Sequence, residues 1–358
     1  MLATATDAHP HRSFRLLFAL FTLPLLVACG GCDGGTGGGG TGGGGTGTAS
    51  ASSGGASTSA SSGSGTATSS GSGEATTAST GTTSGSSGSG DAGPKVDRGP
   101  TSIPLDGDAN GLFWDAALGT LIIADDDNNR LLTWTDGGGI TILADLPPAP
   151  PNGAGLGQVV KTKDGSLLVT RFGYGTAGDV VYVKADKSTG KVPNLDPARR
   201  RIGLTVSSDG TLFDTYFVKT ASGQAGAVAR LDLSGTETDV LPSLKKPVGV
   251  LVSGANLVVS DQAASTVVTA PIAAPDKSAV LAHLEGPDLL CEGPNGSFFT
   301  GSTTDELRQI ASDGTVTSFA RGFLSVRGVA YDAANKRLFA AEHDPAGKAN
   351  TLRIVPVD

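Results

Sequence analysis

The chain is poor in the residues on which most hydrolytic chemistry and most charge-driven binding depend. Its 358 residues include four histidines, of which only His283 and His343 fall beyond the N-terminal region. No H-E-x-x-H motif is present and no G-x-S-x-G elbow follows a strand-like run, which removes zinc peptidases and α/β-hydrolases from consideration. Three cysteines occur, Cys29, Cys32 and Cys291, and their spacing implies no disulfide framework. Positive charge is also in deficit. With 26 basic against 34 acidic side chains the formal charge is −8, which argues against a nucleic-acid partner whose phosphates need Lys and Arg. The basic run of the domain, Arg199–Arg201, reads as a solvated loop. Long apolar segments are missing as well. Leu16–Val27 is a 12-residue apolar run broken by Pro24, too short to cross a bilayer.

That run is instead the core of an export signal over residues 1–28, preceded by the positive region His11, Arg12 and Arg15. It ends in Leu26-Val27-Ala28-Cys29, which resembles the bacterial lipobox. The resemblance implies cleavage before Cys29, lipidation of its thiol and anchoring to the bacterial cell envelope, at the outer membrane or cell surface. An ordinary cleavable signal with an incidental cysteine is the alternative. Cys29-Gly30-Gly31-Cys32 also spells C-x-x-C, but no βαβ pattern surrounds it. Residues 29–94 are nearly all Gly, Ser, Thr and Ala and carry no apolar surface to offset the entropy of ordering. They are expected to form a flexible tether spanning roughly 40–45 Å.

From residue 95 onward the pattern changes to short β-branched and aromatic runs punctuated by turn residues. Asn110–Thr135 holds three such runs. A glycine opening an apolar run recurs at Gly111, Gly157, Gly203 and Gly249, each 46 residues apart, followed by openings at Asp288 and Gly328 after 39 and 40 residues. Repeats of this length with several strands each predict an all-β, six-bladed β-propeller over 95–358, with four-stranded antiparallel blades. The last repeat supplies only three clear strands, and the lone strand Ser102–Asp106 ahead of the first repeat is expected to complete it, closing the ring.

In such a ring the residue before each innermost strand, and the loop after the second strand, line the mouth of the central channel. This places Asn110, Leu156, Ile202, Val248, Pro287 or Asp288, and Arg327 there, with Asp125–Asp127, Arg171, Tyr216, Asp261, Ser302, Thr303, Glu342 and His343 from the loops. A concave mouth with converging polar groups is the default binding site. Arg171 and Arg327 offer an anion clamp, although Arg327 can instead pair with Asp288 or Glu342. Asp125 is either a Ca²⁺ ligand or the cap of its own turn, with Arg130 paired to a neighbouring carboxylate.

The segment IADDDNNRLL resembles the turn of NHL repeats, and the openings NGLFWD and GPDLLCEG are similar to those of the senescence-marker-protein/gluconolactonase propellers. The resemblance covers about 105–358. It implies a divalent cation at the channel mouth, with the family's Glu and Asp positions falling on Asn110 and Asp288 and its two Asn positions on Arg201 or Ile202 and on Val248. It also implies lactone or ester hydrolysis, with His343 or Glu342 available as base. The expectation drawn from the residues themselves is a ligand-binding module for a protein, glycan or small molecule. A divergent lactonase-like hydrolase is the alternative.

Overall fold

Residues 101–151, 153–347 and 350–358 are described here in a computed structural model of the chain; the export signal 1–28, Cys29 and the tether 29–94 lie outside the described residues. After β1 (Thr101–Pro104) comes a first run of β2 (Ala109–Asp115), β3 (Thr120–Asp125), β4 (Arg130–Thr135) and β5 (Gly139–Asp145). The second is β6 (Leu156–Lys161), β7 (Leu167–Arg171), β8 (Asp179–Val183) and β9 (Thr189–Lys191). The third is β10 (Arg200–Val206), β11 (Leu212–Thr220), β12 (Gly223–Leu231) and β13 (Glu237–Leu244). The fourth is β14 (Pro247–Ser253), β15 (Asn256–Asp261), β16 (Thr266–Pro271) and β17 (Ala279–His283). Each run forms its own four-stranded antiparallel meander.

The remaining strands are β18 (Pro287–Glu292), β19 (Phe298–Ser302), β20 (Glu306–Ile310), β21 (Val316–Arg321), β22 (Val326–Asp332), β23 (Arg337–Glu342) and β24 (Thr351–Pro356). Together with β1 they make one eight-stranded sheet. It consists of two meanders, β18 to β21 and β22 to β24, joined where Ser302 pairs with Val326. β1 adds to the outer side of β24, from Thr101 opposite Ile354 to Pro104 opposite Thr351. The strand ahead of the first repeat therefore ends earlier than the Ser102–Asp106 expected. Asp106 has turned away, and its carbonyl accepts hydrogen bonds from Asn128 and Arg130 of the first sheet.

Second strands carry unbroken buried runs. Leu121–Asp125, Leu257–Asp261 and Leu338–Glu342 are buried at every residue, because both faces of each sheet are covered by a neighbour. Outermost strands such as β5 are largely exposed. The core is accordingly a series of interfaces. Ile122, Ala124 and Leu131 pack on Leu156, Val159 and Val169, while Leu121 and Ile123 pack on Phe339, Ala341 and Leu352. Opening strands touch in sequence, β2 on β6, β6 on β10, β10 on β14, β14 on β18, β18 on β22, and β22 on β2.

The recurring glycines have a steric cause. A Cβ on Gly111 would overlap the carbonyl of Gly157, one on Gly157 that of Ile202, and one on Gly328 that of Asn110. At these glycines β2, β6 and β22 thus lie backbone-to-backbone against the next opening strand, an approach a side chain would block, whereas β18 carries Leu289 at this position. No helix among the described residues is long and apolar enough to cross a membrane.

Candidate functional site

Every opening strand breaks register with its partner near its first residues. The break lies between Ala109 and Leu112, Arg201 and Leu204, Pro247 and Val250, Pro287 and Leu290, and Val326 and Val329. Such bulges re-aim a side chain out of the pleat. The residues they carry, Asn110, Ile202, Val248, Asp288 and Arg327, all line one cavity of about 380 Å³. In β6 the break comes one residue later in the repeat, between Leu156 and Val159. There Leu156 is fully buried and offers its carbonyl instead, which accepts the Asn110 amide at 2.6 Å.

The rest of the wall comes from the neighbouring loops and includes Asp108, Asp126, Asp127, Tyr174, Lys246 and Gln262. Asp108 is the hub on one side. Its Oδ2 accepts from Arg327 Nη1 at 3.0 Å, and its Oδ1 lies 2.9 Å from His343 Nδ1. Arg327 therefore pairs with Asp108, not with Asp288 or Glu342 as sequence expected. On the other side Asp288 Oδ1 accepts its neighbouring Leu289 amide at 3.0 Å, and the Gln262 amide stands 3.5 Å from Oδ2. Burial pushes the Asp288 carboxyl up to about 6, against the pull of Arg327 and Lys246. Asp126 accepts the Leu156 amide at 2.9 Å, yet burial still holds it above the usual carboxylate range. Lys246 donates to Gln262, and burial lowers its ammonium below its ordinary value.

Five charged or aromatic residues expected at the mouth lie elsewhere. Arg171 is fully buried, donating to Asn129 Oδ1 and the Pro147 carbonyl, both at 2.8 Å, and it stitches the first two sheets together. Tyr216 donates to Asp239 at 2.8 Å beneath the Arg199 guanidinium, and burial with that bond raises its phenol well above the ordinary value. Asp261 accepts the amides of Lys245 and Lys246, each at 2.8 Å. Asp125 receives Arg130 Nε at 2.7 Å and the Asn128 amide, capping its own turn. Glu342 is taken by the Leu324 amide, Thr351 and Arg353.

One rule explains all five. They sit directly across from Leu156, Arg201, Pro247, Ala109 and Val326, the residues just before or at the bulge, which are buried between sheets. Cross-strand partners share a face, so these side chains point sideways into the interfaces. Except after Tyr216, where Phe217 is buried, the residue one position later reaches the cavity or its wall instead. Phe172, Asp126 and Gln262 line it, and His343 reaches Asp108. Lys246 and Asp108 enter from two positions ahead of Val248 and Asn110. A polar residue recurring at that offset was the signal available in sequence.

The basic run is also relocated. Arg201 is fully buried, its Nε and Nη2 on the Glu237 carboxylate at 2.8 and 2.6 Å and its Nε 3.3 Å from Asp214. This leaves the implied cation without a coordination shell. Arg201 is engaged, Ile202 and Val248 bring no side-chain oxygen, and Asn110, whose Nδ2 donates to Leu156, offers a single amide oxygen. Lys246 and Arg327 bring positive charge to the remaining carboxylate, Asp288. Among the described residues no group of three or more His, Cys, Asp or Glu is placed to hold a metal ion. The residues do not fit a divalent cation of the kind the resemblance implies.

No family model and no curated protein matches the chain. Solved structures do. It is similar to a gluconolactonase from Xanthomonas campestris, at 19% identity and a TM-score of 0.58, covering 72% of this chain and 90% of that one. It is also similar to a calcium-binding protein, regucalcin, from Agrobacterium tumefaciens, at 14% identity and a TM-score of 0.56, over 72% and 93% of the two chains. The fold is a β-propeller. An auxiliary nutrient-binding protein from Bacteroides ovatus shares it at 12% identity and a TM-score of 0.53, over 71% of this chain and 70% of that one. The propeller of this chain thus has the architecture of lactonases and of a binding protein alike, and its distinguishing chemistry is the cavity.

Proposed function

We propose that this chain is a six-bladed propeller, closed by β1 in its last blade, that binds a small polar molecule at the channel mouth without a metal ion. The reading is carried by the wall of the cavity, where Asp108 is paired with Arg327 and Asp288 and Asp126 accept backbone amides, with no three carboxylates among the described residues arranged around a cation site. Closure is supported by the contact of β22 with β2 and by the pairing of β1 with β24. The protein is exported and held at the bacterial envelope by a lipid on Cys29, with residues 29–94 as tether. Palmitate labelling tests the anchor: it should vanish in Cys29→Ala, and its persistence would refute lipidation.

Binding is tested by thermal shift and calorimetry in the presence of a chelator, against a panel of sugars, sugar acids, amino sugars and small amines. At least one class should raise the melting temperature, and Asp288→Asn or Arg327→Met should abolish the shift. A shift that requires Ca²⁺, or one unaltered by both variants, would overturn the metal-free reading.

The His343–Asp108 contact favours a second reading. If Nδ1 donates to Asp108, the opposite ring nitrogen is left as an acceptor and can serve as a base for lactone or ester hydrolysis. Turnover of a lactone panel, lost in His343→Gln, would establish it. Silence of the wild-type protein would remove it.

A further inference from the structure

The cavity holds more negative charge than its own cations neutralise. Both oxygens of Asp108 are occupied, one by Arg327 and one by His343, and Lys246 serves Gln262 and Asp288. Among the described residues no Lys or Arg forms an ion pair with Asp126 or Asp127. Burial, followed by repulsion from Asp108 and Asp125, raises the Asp127 carboxyl, and burial, followed by repulsion from Asp126, raises the Tyr174 phenol at the lip. Asp288 adds a carboxylate oxygen whose nearest donor is an amide 3.5 Å away.

Tyr174 is a separate observation. It is 41% exposed, unusual for a large aromatic, and its backbone is held at a φ of +54°. Phe172 supports its ring edge-on at 5.1 Å between centroids. Gly153 and Gly155 lie beside that ring, where a side chain would come within 3.9 and 3.5 Å of it. The ring therefore stands at the opening instead of folding into the core.

We infer that the molecule bound at the channel mouth carries a protonated primary amine, as an amino sugar or amino alcohol does, seated between the Tyr174 face and the carboxylates of Asp126, Asp127 and Asp288. The inference rests on the ligand-binding reading above. An ammonium gains from an aromatic face and from carboxylates that line the same cavity without a Lys or Arg ion pair among the described residues. An anion would be repelled, and a neutral polyol would gain nothing from the excess charge. A cavity of about 380 Å³ suits a molecule of this size.

Matched pairs test it, by calorimetry or ligand-observed NMR on the whole protein near neutral pH with a chelator present. The pairs are glucosamine against glucose and against N-acetylglucosamine, and ethanolamine against ethylene glycol. The amine of each pair should bind at least roughly tenfold more tightly than its neutral partner. Asp126→Asn combined with Asp127→Asn should erase that preference, and Tyr174→Leu at its exposed site should weaken the amine by about threefold or more. Equal binding of amine and neutral partner, or a preference that survives the Asp126 and Asp127 changes, overturns the ammonium and leaves ligand binding standing. Failure of every compound, in this set and in the wider panel, overturns both.

Discussion

Asp288 occupies the cavity wall under conflicting influences. Burial raises its carboxyl to about 6, whereas an unfolded Asp titrates near 3.8. Between those values the folded protein keeps a proton that the unfolded chain has released. Its contribution to stability is therefore greatest below about pH 4 and is lost as the pH rises through 6. Asp288→Asn removes the carboxylate and its cost. It should raise stability near pH 7.5 by on the order of 1–2 kcal/mol, allowing for solvent at the mouth, and flatten the slope between pH 4 and 6. Denaturant melts across that range check this, and an unchanged slope would show that the neighbouring cations fully offset the burial. Arg201 presents the opposite case. Burial and then the nearby Glu237 raise the Asp214 carboxyl well above its usual range, beside a guanidinium that Glu237 holds through both of its oxygens. Asp214→Asn should cost less than about 1 kcal/mol at pH 7, whereas Arg201→Met should cost roughly 3 kcal/mol by leaving Glu237 only the more distant Arg199, 3.4 Å away. Equal losses in urea titrations would refute the raised Asp214 carboxyl. Nothing near Arg201 in sequence announces this role, because Glu237 lies 36 residues away.

At the scale of the strand, the opening glycines and bulges are one device. The glycine lets neighbouring backbones touch, and the bulge just before or at it turns a side chain into the cavity. The glycine spacing was legible in sequence because a missing side chain repeats visibly. Asn110 and Arg327 were legible for the same reason, being fixed by their offset from it, whereas the fifth repeat has Leu289 in place of the glycine and left Pro287 or Asp288 open. Arg171, Tyr216 and Asp261 were misplaced because strand boundaries are uncertain by a residue, and one residue reverses the face of a strand. Close approach is not equal at all glycines, which yields an ordering. A Cβ at Gly111 would overlap a backbone carbonyl, whereas at Gly249 it would stand 3.0 Å from the Asp288 carbonyl and 2.9 Å from the Ser260 hydroxyl. Gly111→Ala should therefore cost about 3 kcal/mol or more, and Gly249→Ala about 1–2 kcal/mol, where small shifts relieve the contact. Chemical denaturation of the two variants decides the matter, and a reversed order would mean that the strands separate freely.

On the whole-molecule scale, the first and last repeats must hold together although the chain joins them only through the rest of the fold. Trp114 stacks on Phe339 with centroids 5.2 Å apart, and Arg337 reaches across to Asp136 at 2.8 and 2.7 Å. Asp136 is mostly exposed, so that ion pair alone is worth little. Arg337 does more, because its guanidinium also lies over Trp114, Trp134 and Phe339 and is 2.9 Å from the fully buried Asp332. Asp136→Ala should thus change stability by no more than about 0.5 kcal/mol, and Arg337→Ala should cost roughly 2–4 kcal/mol, leaving Asp332 buried without its cation. The second element of the closure proposed above is β1. Without it, β24 becomes an unprotected edge with its backbone donors and acceptors facing water. Replacing Ser102 and Ile103 by proline removes their amide donors from a strand of four residues, which cannot pair in register without them. That variant should melt earlier than the parent and associate in a concentration-dependent manner, as seen by light scattering. If it remains monomeric with an unchanged melting temperature, the β22–β24 meander is self-sufficient at three strands, and the propeller is not held closed by its first strand.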